Sequence, residues 1–160
     1  KGIVHRDIKL DNILIDLNNT IKICDFGVSR KVTKGALMFE RCGTPAYIAP
    51  EIFLKEGYEG YQCDIWSAGV TLYYMLSGTQ PFKGANINEL EANILSGLFE
   101  KIEDISLEAH NLICGMLEVD PNKRLTCEEI LKHPWLKNVN INDRFKINFF
   151  SENEKNLLKK

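Results

Sequence analysis

What the sequence lacks sets the first bounds. No apolar run approaches the roughly 18–20 residues needed to span a bilayer, and the first residues carry no secretory signal. Cysteine occurs five times (at 24, 42, 63, 114 and 127), an odd number, scattered and never as CxxC. That spacing argues against a zinc or disulfide framework and predicts reduced thiols in an intracellular protein, cytoplasmic or nuclear. An excess of positive charge is missing as well. A formal net charge of −2 gives no global basic field, so nucleic acid is not an expected partner. No segment repeats.

What is there suffices for a core. The 160 residues are 44% hydrophobic and 26% charged, the balance of one soluble domain. The chain opens at Lys1 without a methionine, as if in mid-phrase, and reads as a piece of something longer.

The stretch HRDIKLDN, His5 to Asn12, places two acids, two bases and an imidazole ahead of the aliphatic run ILI. Charges are seldom fully buried unless paired, so the cluster is either a surface turn or a site. NILI and TIKICDF flank the turn-like DLNN and predict a small hairpin. Residues 25–51 are polar and glycine-rich without periodicity, which predicts a long functional loop. From Asp64, DIWSAGVTLYYML is apolar nearly all round and predicts a helix buried on most sides. NINELEANIL and SLEAHNLICGML predict amphipathic helices behind Asn and Ser caps. LTCEEILKHPWL carries a capping box, Thr126 with Glu129, and should stop at His133-Pro134. A last capping box, Ser151 with Glu154, opens a final helix that the end of the chain cuts short.

His5-Arg6-Asp7 alone is a weak signal, but its continuation is specific. Lys9 and Asn12 follow the aspartate by two and five residues, and Asp25-Phe26-Gly27 begins thirteen after Asn12. Then come Gly43-Thr44-Pro45, Ala49-Pro50-Glu51, Asp64-Ile65-Trp66-Ser67-x-Gly69, and Arg124 within DPNKRLT. These six blocks, over residues 1–137, resemble the carboxy-terminal lobe of a eukaryotic protein kinase. GTPAYIAPE and RLTCEEILKHPWL look most like the calcium/calmodulin-dependent and calcium-dependent kinase group. The implied fold is mainly α with a small β-hairpin, a kinase-like C-lobe (α+β) with the N-lobe absent from this chain. Residues 138–160 would form a C-terminal extension, the possible start of a regulatory segment.

The resemblance implies a serine/threonine kinase using ATP and Mg²⁺, since phosphoryl transfer is mostly positioning and charge stabilisation. Asp7 would accept or orient the proton of the substrate hydroxyl. Asp25 and Asn12 would hold the metal, and Lys9 would reach the γ-phosphate. Thr44 would bond toward Asp7 and Lys9. Leu14 and Cys24 would line the nucleotide cleft, Cys24 as a small buried hydrophobe at rest. Lys9 and Thr44 both point to Ser/Thr acceptors. Glu51 and Arg124 would form a buried ion pair, Asp64 would hold backbone amides of the catalytic loop, and His5 would stack on Phe26. Trp66, Trp135, Met75 and Leu72 are expected in the core, and His110 and His133 at the surface or as caps. Asp11 offers a carboxylate to a basic substrate residue, although Tyr74 stands where some relatives carry a second acid.

Kinases of this type usually need a phosphate near the second residue before the CGT cysteine, paired with the arginine before the catalytic aspartate and a basic residue after DFG. Those bases would be Arg6 and Arg30, and Glu40 occupies the phosphate position. A carboxylate carries about one charge against about −1.5 to −2 for phosphate. The competing reading leaves Glu40 a solvated charge and gives the phosphate to Thr33 or Ser29. No glycine-rich GxGxxG and no VAIK-type lysine occurs; both would come from the chain's own N-lobe, so this chain alone is expected to be silent. Protein substrates and a calcium-sensor or calmodulin-type regulator are the implied partners. The alternatives are a pseudokinase scaffold and a protein-interaction module.

Overall fold

The charged stretch folds as a loop because its two ends are strands. The computed structural model describes residues 2–17, 20–33, 35–54 and 56–137; Lys1, the 138–160 extension and the Ser151–Glu154 box lie outside them. Strand β1 (Ile3–Val4) enters the loop and β2 (Ile13–Ile15) leaves it through a 3₁₀ turn, Leu10–Asn12. β2 pairs antiparallel with β3 (Ile21–Ile23), Ile13 opposite Ile23 and Ile15 opposite Ile21, as the sequence predicts. Asp16 N donates to Thr20 O at 3.0 Å and closes that hairpin.

The region expected to be one long loop carries structure of its own. β4 (Arg30–Lys31) returns to pair with β1, Val4 opposite Arg30. β5 (Leu37–Met38) pairs with β6 (Tyr58–Glu59), Met38 opposite Tyr58. Between them lie 3₁₀ turns at Pro45–Tyr47 and Pro50–Phe53. Each strand is two residues long, too short to show a period, and each partner is distant in sequence. The charged loop and the segment after DFG are thereby stitched to the body.

The body is helical. α1 (Gly60–Ser77) runs through the centre, with α2 (Ile87–Ser96), α3 (Leu107–Met116) and α4 (Cys127–Leu131) following. Asn86 and Ser106 cap α2 and α3 by accepting from Glu89 N and Ala109 N. The Thr126–Glu129 box opens α4. Trp66 and Phe82 stack at 5.4 Å in a core with Val4, Met38, Tyr58, Val70, Ile94, Ile113 and Leu117. Trp135 packs at the edge of a smaller cluster of Ile65, Leu112 and Met116. Gly60 has no room for a side chain, since a Cβ there would lie 2.3 Å from Met38 Cε and 2.8 Å from Val4. The start of α1 is thus seated directly on β1 and β5.

Two expectations need correction. Met75 is 57% exposed rather than core, because the last turn of α1 runs past the packed helices; Leu72 is partly buried against both clusters. The ILI strand is also open, with Leu14, Ile15, Ile21 and Ile23 each about half exposed. The sequence marked no exposed apolar patch, yet the hairpin presents one. Its pattern is that of a covered strand, and nothing among the described residues covers it.

Candidate active site

Asp7 is the hub of the loop. Its Oδ1 accepts from Thr44 N at 2.8 Å and from Thr44 Oγ1 at 2.7 Å. Its Oδ2 faces Lys9 Nζ at 3.0 Å and accepts from Asn12 Nδ2 at 3.2 Å. Lys9 Nζ also donates to Thr44 Oγ1 at 2.7 Å, closing a triangle. Partial burial by itself would raise the Asp7 carboxyl; the Thr44 and Lys9 hydrogen bonds outweigh it and hold the group below the ordinary carboxylate value. Lys9 is held above its ordinary value, first by the hydrogen bond to Asp7 and further by the fields of Asp7, Asp11 and Asp25.

The backbone beneath is fixed from α1. Asp64 accepts from His5 N at 2.7 Å and from Arg6 N at 2.9 Å. Burial raises its carboxyl, and these amides oppose the shift. His5 Nε2 lies 2.9 Å from Cys24 O while Asp7 N donates to Nδ1 at 3.3 Å, so the proton sits on Nε2. The His5 ring meets Phe26 edge-on at 4.8 Å. Cys24 N donates to Asn12 O at 2.9 Å and joins β3 to the loop. Arg6 and Asp25 both take positive φ, 69° and 59°, conformations that persist only where surroundings hold them. Asp64 holds the first, and Gly27 N donating to Asp25 Oδ1 at 3.2 Å helps the second.

Asn12 is buried with its amide nitrogen on Asp7 O and Oδ2, which leaves its oxygen for a cation. Asp25 is exposed, Cys24 half buried and Leu14 open beside them. Hard oxygen donors of this kind suit Mg²⁺ when a ligand's oxygens complete the shell. Among the described residues no three His, Cys, Asp or Glu side chains converge into a metal cage.

Glu51 and Arg124 meet as a doubly bonded pair, Nη1 to Oε1 at 2.6 Å and Nη2 to Oε2 at 2.8 Å. Both are almost fully buried. Arg124 also donates to Glu118 O and Gln62 O and lies over the Trp66 ring at 5.1 Å. Its charge is fully met. Glu40 is bonded to Arg30 and lies 3.9 Å from Arg6 Nη1. Its own backbone amide, then Arg30, holds its carboxyl below the ordinary value. His133 caps the turn at Pro134–Leu136 by accepting from Trp135 N, and His110 is half exposed beside Cys114.

Sequence reasoning passed over several contacts of the segment after DFG. Arg41 donates to Phe53 O and lies over its ring at 5.6 Å. Tyr58 OH donates to Glu40 O at 2.6 Å, and burial pushes its pKa up to about 12. Ser67 Oγ donates to Tyr47 O at 2.8 Å. An arginine in a polar loop and a serine inside a helix carry no pattern that announces such partners.

The sequence profile of the protein kinase domain matches residues 1–136. The chain is 45% identical over 139 residues to the probable serine/threonine-protein kinase MARK-A of Dictyostelium discoideum, covering 87% of this chain and 13% of that protein. It is 42% identical to the CBL-interacting serine/threonine-protein kinase 5 of Arabidopsis thaliana, covering 86% of this chain and 32% of that one. To the SIK3 homolog of Danio rerio the identity is 43%, covering 86% and 12%. The chain thus spans about a third or less of these relatives. With its profile matched over nearly its whole described length, the chain belongs to the protein kinase domain family.

Proposed function

We propose that this chain is the carboxy-terminal lobe of a serine/threonine protein kinase, and that Asp7 is its proton acceptor. The observation that carries the reading is the Asp7–Thr44–Lys9 triangle. There an aliphatic hydroxyl already donates to the carboxylate and accepts from the ammonium, the two contacts a substrate serine or threonine hydroxyl needs. An ionised carboxyl has about four acceptor sites, and Thr44, Lys9 and Asn12 use them all. The incoming hydroxyl therefore exchanges for one of these bonds. Its proton passes to Asp7 as its oxygen bonds to the γ-phosphorus of ATP and the bond from that phosphorus to the β–γ bridging oxygen breaks, releasing ADP. Lys9 stabilises charge on the transferring group. Asn12 and Asp25 would hold Mg²⁺, which when bound neutralises the phosphate oxygens.

The sequence has no GxGxxG loop and no VAIK-type lysine, so half of the phosphate clamp is left to a separate amino-terminal lobe, and the 160 residues alone transfer nothing. The exposed Asp11 supports a mild preference for basic residues near the acceptor. Three relatives are named for interaction with CBL; a protein regulator of calcium-sensor or calmodulin type, acting through residues 138–160, fits this reading. A cytoplasmic location fits the cysteine usage.

The full-length protein, given radiolabelled ATP and a degenerate peptide mixture, should label serine and threonine but not tyrosine. Chelation of divalent cations should abolish the signal, and the isolated 160-residue chain should give none. Labelling confined to tyrosine, or turnover by the isolated chain, would overturn the corresponding part of the proposal.

A further inference from the structure

We propose that residues 145–150 of this chain dock, within the same molecule, in the groove between the end of α1 and the loop that follows α2. The inference goes beyond the kinase reading and does not depend on it. The groove holds about 400 Å³. Its wall is aromatic, with the Phe99 ring edge-on to Tyr73 at 5.6 Å and to Phe82 at 6.0 Å. Leu98 lines the same space and is 80% exposed. Gly97, at φ +66°, ends α2, and Leu98 N donates to Ser96 Oγ at 3.2 Å, so the backbone holds that leucine in the open. Gln80 Nε2 donates to Tyr47 OH at 3.1 Å, while its Oε1 is buried without a partner among the described residues. Buried acceptors are rarely left so. Lys83 and Glu100 add one charge of each sign to the lining, and neither forms an ion pair among the described residues.

The sequence of the 138–160 extension fits that groove. It is mostly polar, yet residues 145–150, FKINFF, gather three phenylalanines. Phe145, Ile147 and Phe149 alternate with Lys146 and Asn148, the period of a strand with one apolar face. Aromatic side chains gain most from burial. An extended segment also brings main-chain amides, the donors that Gln80 Oε1 lacks. Arg144 and Lys146 oppose the sign of Glu100, and Glu152 that of Lys83. The reach suffices. Trp135 and Leu72 pack against one small cluster, and Leu72 precedes Tyr73 in α1. Phe149 lies twelve residues past Lys137, up to about 40 Å of extended chain, against about 27 Å for the whole of α1. Seated there, the segment braces Gln80 against Tyr47, three residues past Thr44.

The test is hydrogen exchange on the full-length protein, as wild type, a Phe145→Ser/Phe149→Ser double variant, and Leu98→Asp. Either change should speed exchange of the 97–101 amides at least about tenfold, the scale of one buried phenyl side chain. The amides of Val70 and Ile113, in the core, should not change. A synthetic peptide of residues 143–152 should return the protection to the double variant, and a scrambled peptide of the same composition should not. Equal exchange at 97–101 in wild type and the double variant would overturn the proposal. So would protection that rises with protein concentration, which would assign the groove to a second copy. Protection lost from residues 13–23 instead would place the segment on the hairpin and overturn it too. If Leu98→Asp loosens the whole body, the double variant and the peptide decide. A protein with this exchange pattern that transfers no phosphate would sink the kinase reading and leave the docking standing.

Discussion

Asp7 and Lys9 hold each other in charged form, and the direction of each shift fixes a pH window. A carboxyl whose folded pKa lies below its unfolded value contributes stability that is complete above the latter, near 3.9, and lost as pH falls through the folded value. Asp7 is of this kind. Lys9 has its value raised, so its contribution is full below about 10.4 and lost as pH rises through the higher folded value. The stability difference between wild type and Asp7→Asn, from urea unfolding, should therefore stay level from about pH 5 to about pH 9 and close below about pH 4. A difference that shrinks between pH 7 and pH 6 would mean that another group governs the site. The roles of Lys9, Asn12 and Thr44 were all reached through the family pattern; Lys9 and Asn12 also lie two and five residues from Asp7 in the sequence, whereas Thr44 does not. The Arg41–Phe53 and Tyr58–Glu40 contacts were not legible, since both depend on where β5 and β6 bring distant loops.

The elements divide by length. The longer helices could be read from caps and periodicity, and α2, α3 and α4 begin where Asn86, Ser106 and Thr126 predict. The two-residue strands could not, although the three-residue β2–β3 hairpin could. The helix α1 was read from Asp64, four residues after its start at Gly60, and Met75 is exposed where apolar text outlasts the core. What binds these elements to the activation segment is Glu51–Arg124, linking the Pro50–Phe53 turn to the chain after α3. Removing one partner leaves a buried charge unmet, so Glu51→Ala should cost about 3–5 kcal/mol. The midpoint of urea unfolding reads this. A double variant with Leu at 51 and Met at 124 should lose less than the sum of the singles, because no orphan charge remains. Strict additivity would show that the two side chains act separately.

At the scale of the molecule, the helical body presents its chemistry along one edge. The catalytic loop, the β2–β3 hairpin and the segment through Thr44 all meet there, and the hairpin leaves Ile15, Ile21 and Ile23, which share one face, about half exposed. An apolar face beside a cluster of charges is where the proposed amino-terminal lobe would close over a nucleotide, completing what Asp7, Lys9, Asn12 and Asp25 begin. The most direct test of that account is the rate of γ-phosphate transfer to a serine/threonine peptide by the full-length protein, wild type against Asp7→Asn, at saturating Mg²⁺ and ATP. The account predicts turnover by wild type and a fall of roughly 10²–10⁴-fold in kcat for the variant, the range for loss of a general base, with the KM for ATP little changed. An Asp7→Asn enzyme within about threefold of wild type, far inside that range, would contradict it.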